Sequence, residues 1–155
     1  MEEIQMNKIS YIAEKLYNMY KTRNPYLLIE RMGGNIIIKE LPNSLLGQST
    51  YYDNGYFIVS ISSSIENSIM ATFIAFHELG HIVLHNSSNN FFMRKNIFYT
   101  YDKYENQADE FALNIMFSNE ELKEIFNYDF YHTANILMVK PYIIEKVIKE
   151  RLGVI

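Results

Sequence analysis

A chain of 155 residues, 48% hydrophobic and 21% charged, has the composition of a folded globular protein and the length of one domain, residues 1–155. Its formal charge of −4 comes with no dense run of Lys or Arg, which argues against direct nucleic-acid or anionic-membrane partners. With no cysteine there is no disulfide framework, no thiolate nucleophile and no Cys-bound zinc, so any metal must be held by His and carboxylates.

The opening "MEEIQMNKIS" is acidic and runs into no uninterrupted apolar segment, so neither a signal peptide nor a membrane span is expected, and the expected compartment is the cytoplasm. Ile4, Ile12, Leu16, Met19 and Tyr20 share a stripe of an amphipathic helix over 3–21. Asn24 as N-cap, Pro25 at the first helical position and Gly33 beyond the last turn predict a short helix from Pro25 to Met32. Strands follow at about 35–40, 47–53 and 56–61, the last two joined by Asn54-Gly55, a pair suited to a type I′ hairpin turn. Turn chemistry rather than helices separates these runs, so an antiparallel three-stranded sheet is expected.

Ser63 and Glu66 have capping-box spacing and predict a long, nearly all-apolar helix running through His85. The run "NSSNNFFMRKN" ends it, with an irregular excursion to about Tyr101. A helix from about Asp102 turns Ala108, Phe111, Ala112, Ile115 and Met116 inward. Ser118 with Glu121 repeats the capping logic, Thr133 is placed to cap a further helix, and Pro141 opens a last one ending at Gly153. The fold class is therefore α+β: a small sheet packed with helices, with no internal repeat or linker.

The segment "FIAFHELGHIVLH" holds three of the four histidines. Residues four apart on a helix share a face, so His77 and His81 can reach one ion, and the Glu78 between them can stand beside a bound water as general base. By ordinary residue usage the H-E-x-x-H pattern arises by chance in roughly one chain in two hundred of this length. The bland alternative is a core helix with hydrogen-bonded histidines. That reading leaves Glu78 buried without a counter-charge, which is costly.

A catalytic zinc takes three protein ligands and an open position. A third His in H-E-x-x-H-x-x-G-x-x-H is excluded because Leu84 and Ser87 stand where Gly and His would be needed, and a Cys ligand is excluded by composition. The remaining common arrangement draws a Glu from a second helix and, four residues on, an Asp that orients a ligand histidine. "ENQAD" supplies Glu105 and Asp109 on the helix face opposite Phe111 and Ile115. A solvated acidic face is the alternative. His85, one turn beyond His81, is too far along the helix to ligate with both others and reads as a structural or substrate-side residue. His132, with Tyr131, is either an oxyanion donor or a surface residue. Gly80 permits close approach of another element.

In order and spacing, "TRNPYLLIERMGGNIII", "HELGHIVLH", "ENQADEFALNIMF" and "PYIIEKVIKERLG" resemble the ImmA/IrrE family of zinc metallopeptidases of phages, integrated mobile elements and some bacterial chromosomes. The resemblance implies a minimal gluzincin-like fold, one Zn2+ held by His77, His81 and Glu105, Glu78 as base, and Asp109 as support. It also implies an anti-repressor role: cleavage of a cognate helix-turn-helix repressor. "IMFS" replaces a common Leu-Met-Pro and Phe76 a common Ala, departures that touch pocket shape and not the ligands.

Three expectations remain. An exposed edge strand within 56–61 would pair with an extended substrate. A regulator that sequesters a repressor and keeps its zinc for structure is the rival reading, against which the intact Glu78 weighs. A DNA-reading helix-turn-helix in "ANILMVKPYIIEKVIKERL" is disfavoured by its mixed charge and its packing-type Ile and Val. Two His and a Glu also accept divalent ions other than zinc, and oligomeric state is not legible.

Overall fold

A computed structural model describes residues 8–85 and 99–153. Helix α1 (Lys8–Tyr20) and α2 (Pro25–Arg31) precede strands β1 (Asn35–Lys39), β2 (Gly47–Tyr51) and β3 (Phe57–Ser62). A 3-10 turn (Ser63–Ile65) leads to α3 (Ile69–Leu84). After it come α4 (Tyr99–Met116), α5 (Asn119–Glu124), a π-helical turn (Ile125–Asp129), α6 (Phe130–Leu137) and α7 (Pro141–Leu152). Ile4 and the segment 86–98, where an irregular excursion was expected, lie outside the described residues.

The α+β class stands, but the sheet is mixed. Its order is β1-β3-β2: β3 pairs antiparallel with β2 (Tyr51 opposite Phe57) and parallel with β1 (Ile36 opposite Val59). The expectation of a wholly antiparallel sheet fails because β2 is itself the crossover. The chain runs up β1, turns at 40–46 where Asn43 and Ser44 take left-handed φ (56° and 59°), comes down β2, and returns up β3. Parallel pairing needs a crossover of about a dozen residues or more, and a strand with its two turns fills that span as well as a helix does. β3 takes the centre because Phe57, Val59 and Ile61 are buried, whereas β1 is mostly exposed.

The hairpin turn also differs in type. Tyr52 O accepts from Gly55 N at 3.0 Å, Tyr52 N donates to Tyr56 O at 2.8 Å, and only Gly55 of the Asn54-Gly55 pair has positive φ (86°). This is a turn over 52–55 whose last residue is a left-handed glycine, the three-residue hairpin with a bulge, and not the two-residue type I′. Asn54 contributes through its side chain, whose Oδ1 accepts from Tyr56 N.

Asn24 caps α2 and Pro25 opens it, as expected. Ser118 and Glu121 form the complete capping box of α5, and α7 runs from Pro141 to a left-handed Gly153. Helix α3, however, begins at Ile69 with Ser68 as its cap, while Ser63 opens the 3-10 turn capped by Ser62. Capping-box spacing at Ser63–Glu66 therefore marked a turn one step too early. Thr133 is buried inside α6 rather than capping it, because the π-helical turn carries the chain into α6 without a break.

The core lies where α3 packs against both the sheet and α4, with Phe76, Leu79, Phe111, Leu113 and Ile115 almost wholly buried. Burying each such side chain contributes about 1.5–3 kcal/mol. Gly80 lets the two helices close: a Cβ there would lie 3.0 Å from Phe111 Cδ1 and 3.3 Å from Ala108 Cα. The far end of α4 is tied down by two guanidinium groups. Arg23 donates to Ile115 O (3.0 Å), and Arg151 to Asn114 O (2.8 Å) and Phe117 O (3.2 Å), satisfying carbonyls that a helix C-terminus leaves unpaired. The C-terminal helix packs in the same way, with Ile143, Ile144, Val147 and Ile148 buried. No described helix is long and apolar enough to cross a membrane.

Candidate active site

Helix α3 is buried almost all round, so its few polar side chains are held in fixed places. His77 and His81 project from one face, with Nε2 atoms 3.2 Å apart. From α4, Glu105 faces both: Oε2 is 3.1 Å from His77 Nε2, and Oε1 is 3.0 Å from His81 Nε2. Among the described residues these three form the group whose ligand atoms, all within 4.8 Å of one another, are positioned to hold a metal ion.

The donor set fits a divalent cation. Asp109 Oδ1 lies 2.8 Å from His77 Nδ1 and accepts its proton, so the lone pair of a neutral His77 sits on Nε2 and points at a second acceptor, Glu105. Lone pairs facing each other at hydrogen-bond distance call for a cation between them. Two ligands each about 2.0–2.1 Å from a tetrahedral zinc would be about 3.3 Å apart, close to the spacing of the two Nε2 atoms.

Without an ion, protons serve instead. Burial opposes a charge on His77, yet its bonds to Asp109 and Glu105 outweigh that and push its pKa up to about 10. Burial likewise resists ionisation of Glu105, but bonds from His77 and His81 hold it well below the usual carboxylate range.

Glu78 turns toward the sheet. It is 9% exposed, and burial pushes its pKa up, opposed by the nearby His77 and His81 and by a hydrogen bond from Ser49 on β2. β2 approaches this closely because of Gly47: a Cβ there would come 2.4 Å from Ile74 Cγ2 and 2.9 Å from Glu78 Cγ. A cleft of about 370 Å³ opens over the group, lined on one side by β2 with Leu45 and Leu46, and on the other by His77, Glu78, His81 and Glu105.

The remaining histidines part company. His85 is buried at the end of α3, on the other side of the His81 ring from Glu105. His132 is exposed on α6 and does not line the cleft. Gly47, Ser49 and Gln107 were not singled out from the sequence. A glycine within a strand is a recognised sign of close backbone approach, and Gly47 at the start of β2 was the one available signal.

The family profile described as the IrrE N-terminal-like domain, Peptidase_M78, matches residues 29–155. The chain belongs to this peptidase family. It is also 33% identical, over 122 residues covering 79% of this chain and 76% of the relative, to "Uncharacterized immunity region protein 2" of Bacillus phage phi105. No solved structure matches it. Membership in the Peptidase_M78 family agrees with a His-His-Glu group positioned to hold a metal ion and lining this cleft.

Proposed function

We propose that the protein is a zinc-dependent endopeptidase that cuts a cognate helix-turn-helix repressor and so relieves repression in a phage or mobile-element immunity system. The observation that carries the chemistry is the convergence of His77, His81 and Glu105, with Glu78 beside them, in a cleft bordered by a strand edge. Family membership and the name of the phage relative support the setting.

When bound, zinc would supply Lewis acidity toward a water molecule and the scissile carbonyl. The chain's own residues do the rest. Glu78 takes the proton of the attacking water and delivers it to the leaving nitrogen, and its raised pKa suits a group that must both accept and return a proton. Ser49 steadies that carboxyl, and Asp109 keeps the His77 lone pair on Nε2.

The substrate strand belongs on β2. The expected site within 56–61 is ruled out because β3 is the central strand, with both edges already paired. On β2 the ladder alternates: Leu46 and Tyr52 bond to β3, so Gly47, Ser49 and Tyr51 turn their N–H and C=O groups away from it. That edge runs along the cleft and can add an extended peptide as a further strand.

The test compares wild type with Glu78→Gln against the co-encoded repressor, with metal content measured on both. Zinc in both and cutting by wild type alone is the expected result. Absence of cutting by wild type, with repressor still bound and repression relieved in cells by Glu78→Gln, would replace peptidase with sequestration.

A further inference from the structure

We propose that His85 is a positioning residue for His81, acting as Asp109 does for His77; the inference rests on the reading of His77, His81 and Glu105 as metal ligands. His85 Nδ1 lies 3.2 Å from His81 Nδ1, and His85 Nε2 lies 2.8 Å from Gln107 Oε1. The ring is 4% exposed and packs against Tyr104 with ring centroids 4.3 Å apart, so its orientation is fixed from both sides.

Two ring nitrogens at hydrogen-bond distance share one proton, and Gln107 decides which ring owns it. The amide oxygen only accepts, so it takes the Nε2–H of His85. His85 Nδ1 then carries a lone pair and accepts the Nδ1–H of His81. That leaves the lone pair of His81 on Nε2, the atom that faces Glu105 and His77. A chain of two hydrogen bonds, from His81 through His85 to an amide on α4, thus sets the tautomer that a metal ligand needs.

The two ligand histidines are supported unequally. His77 donates to a carboxylate, whereas His81 donates to an imidazole, which draws less electron density back into the donor ring. A third histidine at this spacing, too far along the helix to ligate, thereby has a definite use.

The experiment is zinc affinity, measured by competition with a chromogenic chelator, for wild type, His85→Leu, His85→Asn and Gln107→Leu. Leucine fills the space without an acceptor, while the Asn oxygen can stand near the position of Nδ1. Zinc affinity should fall about 10–100-fold in His85→Leu, fall less in Gln107→Leu, and return toward wild type in His85→Asn. Equal zinc affinity in wild type and His85→Leu, or equal losses in His85→Leu and His85→Asn, overturns the proposal. Should His85→Leu fail to fold, Gln107→Leu carries the test alone, and unchanged affinity there overturns it. Failure of wild type to bind zinc would instead sink the metal-site reading beneath it.

Discussion

Asp109 accepts the Nδ1–H of His77 at 2.8 Å, on the side of the ring opposite the nitrogen that faces Glu105. A carboxylate there both orients the ring and makes Nε2 a better donor to a cation. Asp109→Ala should therefore lower zinc affinity about 10–100-fold while α3 and α4 stay packed. Chelator competition, with circular dichroism as the check on folding, measures it.

Removing the metal should make stability depend on pH in a stated direction. The His77 pKa rises from 6.5 to about 10, so its contribution is complete below pH 6.5 and is lost as pH climbs toward 10. Glu105 is depressed from 4.5, so its contribution is present above that value and lost as pH falls. Glu78, raised by burial from 4.5, adds a loss of stability that begins as pH rises past that value. Thermal melts in chelator should peak between these limits, in the region of about pH 5–6.5.

The same protonation predicts proton release. At neutral pH the metal-free His77 carries a proton on Nε2, shared with Glu105, that an incoming ion must displace. Zinc titrations in buffers of different ionisation enthalpy should report about one proton released per ion from this group. Identical apparent heats in all buffers would contradict it.

Gly47→Ala should separate catalysis from metal binding. The new methyl group would press on Ile74 and Glu78, one turn apart on α3, yet on none of the three ligands. Zinc should still bind, stability should drop by about 1–3 kcal/mol, and cutting should fall about 100-fold because Glu78 is displaced. Denaturant melts and single-turnover assays on one preparation suffice.

Tyr51→Pro removes an N–H that points away from β3, so the sheet should survive while substrate pairing weakens. KM for the repressor should rise with zinc content unchanged. Unaltered kinetics would move the substrate off this edge.

Much of the site was legible because it is local. His77 and His81 share one helix, and Glu105 and Asp109 another, so the 3.6-residue repeat alone puts each pair on one face, with Glu78 beside the first. Helix ends with side-chain caps, such as Asn24 and Ser118, are local too. Ser63 misled because the same spacing also suits a 3-10 turn, and Thr133 because a cap and a buried interior threonine look alike in sequence.

What the sequence determined by itself is the donor chemistry: no cysteine, two histidines a turn apart, and two carboxylates a turn apart. Tertiary structure alone decided the rest. Strand direction depends on which edge a crossover reaches, so β1 came out parallel to β3 and the open edge near the cleft came out as β2. The approach of Gly47 and Ser49 to Glu78, and of Gln107 to His85, joins residues far apart in the chain, and only the packing of one element on another fixes such distances.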